Sequence, residues 1–253
     1  MRTNIKIKTL VLTIAVSGVL TQSVAMAQEW SYSGETGPDK WGALAPKNSL
    51  CNSGKNQSPL ALDVKKTAKI QIKGIKFDYN MTLPETISNT GNMIQVNTGG
   101  WAKLNADGIE FKLKRIDFHI PSEHTVNGKH FPMELQFVHE SDNKEVAIVS
   151  RMAIPGRPDR MLRKLFEKLP MQAGKTEKLA PNTLKTLEMT KKYGNYFRYN
   201  GSTTTPPCSE GVHWFIMKQP LTFSKEQYET LKKAVPQDNN RPEQKPFARL
   251  VLE

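Results

Sequence analysis

Residues 114–140, KRIDFHIPSEHTVNGKHFPMELQFVHE, decide how this chain folds and where its chemistry lies. From Lys114 to Ile120 the side chains alternate, so Arg115, Asp117 and His119 point one way while Ile116, Phe118 and Ile120 point the other. Met133 to His139 repeats the pattern, with Glu134, Gln136 and Val138 on a single face, and the turn Val126-Asn127-Gly128-Lys129 lets this second strand return antiparallel. Four of the five histidines (His119, His124, His130 and His139) fall within this stretch, which invites a metal reading. Ligands must share a face as well as a neighbourhood, and only Asp117 and His119 form a candidate pair on one strand face. The competing reading is a set of polar residues on the wet face of a hairpin.

Working outward, period-two segments recur at Lys69 to Lys76, Met93 to Asn97, Glu110 to Ile120, Met133 to His139, Glu145 to Met152 and Val212 to Met217, separated by Gly, Asn and Pro clusters. Two helices stand apart from them. Arg160 to Leu169 puts Leu162, Leu165, Phe166 and Leu169 on one face, and Lys225 to Ala234 follows Ser224 with Gln227 three residues on, a capping-box pattern. The expectation is a mainly β (α+β) fold with peripheral helices. No linker, repeat or low-complexity tract divides the chain, so residues 28–253 read as one domain.

Residues 1–27 read as an export signal: a basic start, an apolar run from Thr9 to Leu20, then Ala25-Met26-Ala27 before the expected mature start at Gln28. An apolar run of that length is short for a permanent span, and no later segment is long and apolar enough to be one. A periplasmic or secreted location follows as an expectation, with an uncleaved anchor as its alternative. The whole chain carries 36 Lys+Arg against 24 Asp+Glu, a formal net charge of +12, and the expected mature protein remains strongly basic. A polyanion or anionic surface is therefore a candidate partner, unless the charge serves solubility alone. Basic blocks at Lys65-Lys66, Arg160 to Lys168 and Lys191-Lys192 are scattered, which argues against a nucleic-acid partner. The two cysteines, Cys51 and Cys208, are most simply one disulfide in an exported protein, with free thiols or a zinc pair as alternatives.

A series of short motifs resembles the α-carbonic anhydrase family along nearly the whole expected mature chain. In order they are Trp30 with Tyr32, Gly37-Pro38 with Trp41, Asn56-Gln57-Ser58-Pro59, Phe118-His119, Pro121 to Val126, Met133-Glu134-Leu135, Phe137-Val138-His139, Gly201-Ser202 and Thr204-Thr205-Pro206-Pro207-Cys208. The resemblance implies a single domain on a large twisted, mostly antiparallel β-sheet, and a disulfide between Cys51 and Cys208 as in exported members. It also implies a zinc site of three histidines whose fourth position holds a water made acidic enough to attack carbon dioxide.

At the positions that match those three ligands the chain has Asp117, His119 and Gln136, so one histidine of three remains. An oxygen-rich set with a neutral amide should hold zinc weakly or not at all, and a carboxylate beside the metal raises the pKa of its bound water. Asn92 stands where many members carry a proton-shuttling histidine, and an amide does not titrate near neutral pH. Arg115 replaces a neutral amide behind one zinc histidine, sharing a face with Asp117 in a pair expected to substitute for the metal as a local tie. By resemblance Thr204 is the gatekeeper that orients the metal-bound hydroxide and Glu123 accepts its proton. Glu134 backs the ligands, and Val138, Ile148, Thr203, Thr205 and Trp214 line the substrate pocket. His124, His130, His139 and His213 carry structural readings.

Two functions follow. One is a carbonic-anhydrase-fold binding protein with little or no carbon dioxide hydration. The other is a slow zinc carbonic anhydrase, acting on carbon dioxide and bicarbonate, that uses Asp117, His119 and Gln136.

Overall fold

The structure is a computed structural model that describes residues 29–70, 74–79, 86–180, 183 and 195–253. The expected signal at residues 1–27 lies outside the described residues, as do residues 71–73 of the first expected strand. The frame is a ten-stranded sheet. Its main path runs β11 (Thr176–Lys178), β3 (Thr86–Asn89), β4 (Ile94–Asn97), β6 (Ile109–His119), β9 (Met133–Ser141), β10 (Val146–Pro155), β13 (Glu210–Phe223) and β12 (Tyr196–Ser202). Two more strands, β5 (Lys103–Ala106) on β6 and β2 (Lys76–Asp78) on β5, extend it. Every pairing is antiparallel except that of β10 with β13, which runs parallel from Ala147↔His213 to Pro155↔Phe223. A satellite sheet joins β1 (Ala61–Leu62), β7 (Thr125–Val126) and β8 (Lys129–His130).

The long central strands are buried on both sides because the sheet separates two cores. Phe111, Leu113, Ile116 and Phe118 of β6 face the larger core with Leu135 and Phe137 of β9. That set breaks strict alternation between Leu113 and Ile116. A register shift between Leu113 and Arg115, where β6 meets β9, absorbs the extra residue and restores the parity. Beyond it Arg115, Asp117 and His119 all face the second side, which bears the smaller core of Leu60, Leu62, Val138, Ile148, Trp214 and Ile216.

Helices cover the larger core. In α3 (Arg160–Phe166) the Asp159 carboxylate caps Met161 and Leu162, and Met161, Leu162 and Leu165 are buried. In α4 (Lys225–Ala234) Ser224 and Gln227 form the expected capping box, and the Gln227 amide also bonds the backbone of Asp159, locking the two helix starts together. Near the N-terminus α1 (Trp41–Leu44) and α2 (Leu50–Ser53) form a third cluster around Trp41 and the Cys51–Cys208 disulfide.

Several expected elements differ in extent. Among the described residues of the segment expected from Lys69 to Lys76, only Lys76 lies in a strand, the helix expected to reach Leu169 ends at Phe166, and β13 runs well past Met217 to Phe223. The Asn127-Gly128 turn does not join the two long strands directly. Both residues take positive φ, closing the small β7–β8 hairpin, while β6 and β9 pair beside it. Strands β3, β5 and β12 had no strong alternation to mark them.

One buried group ties the sheet edge to the larger core. Tyr79 bonds His139 Nε2 at 2.6 Å, and the opposite ring nitrogen lies 3.3 Å from the Ala147 carbonyl, which only accepts, so Nδ1 carries the proton. Burial pushes the His139 pKa down to about 4 from the free value of 6.5. The unfolded chain therefore binds a proton that the folded chain refuses between those two values. Stability is full above pH ~6.5 and declines as pH falls toward 4, by on the order of 3 kcal/mol at most from this one group. Urea unfolding at pH 7.5 and 4.5 should show a smaller acid loss for His139→Gln than for the wild type; equal losses would contradict this assignment.

Candidate functional site

Strand pairing aligns the polar residues in rows. One row across the sheet reads Gln95, Asp117, Gln136 and Ser150, and the next reads Asn97, Arg115, Val138, Ile148 and Trp214. His119 pairs with Glu134 one step further along. The pocket side of the sheet is thus polar on β4 and β6 and apolar on β13 and, apart from Ser150, on β10, with β9 at the junction.

Asp117 is held from two sides. Arg115 Nε donates to both carboxylate oxygens at 3.1 and 2.9 Å, and Gln95 Nε2 donates to one of them at 2.8 Å. The expected Arg115–Asp117 pair therefore forms, with the carboxylate almost fully buried and the guanidinium about a third exposed. Gln136 turns inward: its Nε2 donates to Glu123 Oε2 at 2.6 Å and to Glu134 Oε1 at 3.2 Å, while its Oε1 accepts from the Thr204 hydroxyl at 3.5 Å.

Both of those glutamates are fully buried and otherwise supplied with donors. Glu134 accepts from the backbone N–H groups of Glu123 and His124, from His124 Nδ1 and from Ser150 Oγ. Burial alone would raise its pKa, but His124 and the other donors outweigh that and bring it to about 2. Glu123 accepts from the Arg241 backbone N–H at 2.9 Å. Its pKa moves up, because burial exceeds the lowering by His119 and by the Thr204 hydroxyl. His119 donates Nδ1–H to the Asn239 carbonyl at 2.8 Å. Burial works against its protonation, yet Glu123 and that bond shift its pKa up overall.

The other anticipated residues lie as follows. Val138, Ile148 and Trp214 are buried in one cluster, with the indole N–H on the Ser202 carbonyl. Thr203 spends its hydroxyl inside its own loop, accepting from the Ser209 N–H and donating to the Thr205 carbonyl. Thr205 is half-buried there, and its carbonyl also accepts the Cys208 N–H. Asn92 donates to the Trp30 carbonyl, which makes it a strut for the N-terminal segment. His124 bridges Glu134 and Tyr199, and His130 bonds the Ser122 carbonyl. His213 stands within β13 with Nδ1 buried and without a hydrogen-bond partner among the described residues.

Sequence reasoning missed four supports. Asn239 holds His119 and braces the backbone of Phe118 and Ile120 through its amide. Arg241 is buried and donates to Gln57, Ser58 and Cys51, linking the disulfide region to Glu123. Both sit in irregular chain, where no periodicity announces them. Gln95 and Ser150 were legible in principle, because their parity in β4 and β10 puts them beside Asp117 and Gln136.

The model of the eukaryotic-type carbonic anhydrase family matches residues 36–251. The chain is 35% identical to a carbonic anhydrase of Neisseria gonorrhoeae over 97% of this chain and 96% of that one. Among solved structures, the α-carbonic anhydrase of Thermovibrio ammonificans, determined with the inhibitor sulfanilamide, superposes with a TM-score of 0.82 at 37% identity. That match covers 89% of this chain and 99% of the other. A dioscorin determined with ascorbate superposes at 0.80 and 33% identity, covering 89% and 97%. The chain belongs to the α-carbonic anhydrase family, a zinc-dependent family acting on carbon dioxide and bicarbonate, and has that family's fold.

The Arg115–Asp117 contact carries a testable consequence. Arg115→Gln would leave the nearly buried Asp117 carboxylate with Gln95 as its main donor, at an expected cost of about 1–3 kcal/mol in urea unfolding. An unchanged unfolding midpoint, together with strong stabilisation by added zinc, would show that the pair is not the local tie.

Proposed function

We propose that this chain is a carbonic-anhydrase-fold binding protein with little or no carbon dioxide hydration. The observation that carries the reading is the engagement of both replaced ligand positions. Asp117 is occupied by Arg115 and Gln95, and the Gln136 amide is committed to Glu123 and Glu134. To serve a metal, Asp117 would have to give up a charge-assisted contact. Gln136 would offer only a neutral oxygen, leaving His119 Nε2 as the single strong nitrogen donor. This donor set fits zinc poorly.

The pocket's supports also favour a metal-free state. A divalent ion offsets buried negative charge, whereas here Asp117, Glu123 and Glu134 are each satisfied by protein donors. Thr204, by resemblance the gatekeeper, has its hydroxyl on Gln136 and beside Glu123, where it serves the buried network. The dioscorin neighbour, solved with ascorbate, supports use of this fold to hold a ligand. We further propose export, with residues 1–27 removed; the Cys51–Cys208 disulfide suits an oxidising compartment.

The reading is tested by metal analysis and stopped-flow hydration on protein purified without added zinc. Substoichiometric metal and negligible hydration are expected, and stoichiometric zinc with rapid bicarbonate formation would overturn it in favour of a working enzyme. A gain-of-function variant sharpens the test. Arg115→Gln/Asp117→His/Gln136→His restores three nitrogen ligands and a neutral residue behind them. It should bind zinc and hydrate carbon dioxide at least about 100-fold faster than the wild type, since loss of metal-activated water is the deficit being repaired.

A further inference from the structure

Five cations, Arg157, Arg160, Arg163, Lys164 and Lys168, crowd twelve residues that form the turn before α3, the helix and its C-terminal end. All five are exposed, and among the described residues none forms an ion pair. Some cations elsewhere stand against acids, as in Lys112–Asp142, Lys218–Glu253 and Lys232–Asp238. The segment's own acids do not neutralise it: Asp159 is spent on the helix N-cap, and Glu167 leaves a net +3 even when both are counted.

Arg160 and Lys164 lie one turn apart in α3, about 6 Å along the helical rise, with Arg163 beside them, and Lys168 follows in the turn after the helix. They form a narrow line of charge. At its far end lies a surface groove of about 630 Å³, within the size range of small-ligand sites, whose lining includes Lys168, Met171, Gln172 and Lys175 together with the acids Glu167 and Glu177. The helix is packed on the larger core, on the side of the sheet away from Arg115, Asp117 and His119.

We propose that this outer face of α3 docks a linear anionic polysaccharide, the cationic line following the chain and the groove seating a sugar residue. A bilayer fits less well, because Met161, Leu162 and Leu165 point into the core and Phe166 is half-buried against Phe118, which leaves the helix no fully exposed apolar side chain to enter a membrane. A nucleic acid fits less well too: the segment's one aromatic ring, Phe166, is half-buried against Phe118 and offers no stacking platform. The proposal rests on the reading of the chain as a binding protein and supplies that reading's partner and surface.

Heparin is the probe, with titrations at 50 and 300 mM NaCl on the disulfide-intact protein. Wild type should bind and weaken about tenfold or more at the higher salt, as exposed charge contacts are screened. Arg160→Glu/Arg163→Glu/Lys164→Glu should weaken binding at least about tenfold at low salt. Lys65→Glu/Lys66→Glu/Lys129→Glu, an equal change of net charge on another exposed block, should stay within about twofold. The milder Arg160→Gln/Arg163→Gln/Lys164→Gln, checked for an unchanged unfolding midpoint, should reproduce the loss if the fold of the reversal variant is in question. Absence of heparin binding, equal loss in the two reversal variants, or tighter binding to phosphatidylglycerol vesicles or duplex DNA than to heparin would each overturn the proposal. Zinc content and hydration measured on the same preparation separate the two readings: an active zinc enzyme whose α3 variants still lose heparin would sink the proposed function and leave the docking face standing.

Discussion

Three carboxylates in the pocket, Asp117, Glu123 and Glu134, are buried, and the requirement that each be met by donors organises this side of the molecule. Gln136 Nε2 stands between two of them and bonds both. A histidine at that position would present one protonated nitrogen at most while its other nitrogen faced a metal; a glutamine presents an amide N–H₂ with two hydrogens. Here the position holds two anions in the wall, and its amide oxygen is turned toward Thr204. That amide closes the buried network between the two glutamates.

Asp117 follows the same logic with the opposite charge. Its carboxylate introduces negative charge among existing acids, and a bare carboxylate there would be costly. Arg115, two residues earlier on the same strand face, brings the compensating charge on a side chain long enough to remain partly in solvent. Gln95 enters from the neighbouring strand, placed by the Gln95↔Asp117 register. Two strands therefore contribute to one electrostatic arrangement, and the β6 register shift after Leu113 sets its parity. Without that extra residue, Arg115, Asp117 and His119 would face the apolar core that Ile116 and Phe118 now fill.

This parity is why so much of the site could be read in the sequence. Alternation in residues 114–120 and 133–139 put Arg115, Asp117, His119, Glu134 and Gln136 on two faces, and strand pairing needed only to bring those faces together. The same rule applied to Ile94–Asn97 would have added Gln95. Other strands were less legible: β3 and β5 are short, and β12 interrupts its apolar residues with Arg198, Asn200 and Gly201. Asn239 and Arg241 carried no local signal at all, because their importance comes from partners more than a hundred residues away. The extent of β13 was missed for a related reason. Past Met217 it passes through Lys218, Gln219 and Pro220, a polar stretch that local patterning reads as a turn, while its pairing with β10 carries it to Phe223.

Because the pocket's charges are closed as one circuit, its residues act together energetically. Asp117→His alone would leave Arg115 beside an imidazole instead of a carboxylate, a cation with its partner removed and close to where a metal charge would stand. Gln136→His alone would take from Glu123 and Glu134 the amide they share while Asp117 remained bound to Arg115. Each single reversal breaks an existing set of bonds without completing a new one, so its effect should not add simply to the others. The sheet limits how far such rearrangement spreads: the pocket residues pack on one side and α3 on the other, joined by strands whose hydrogen bonds do not depend on the cavity's side chains. A chain of this architecture can exchange the chemistry of its cavity floor while the opposite surface keeps its own charge pattern, and the buried acids set the terms of that exchange.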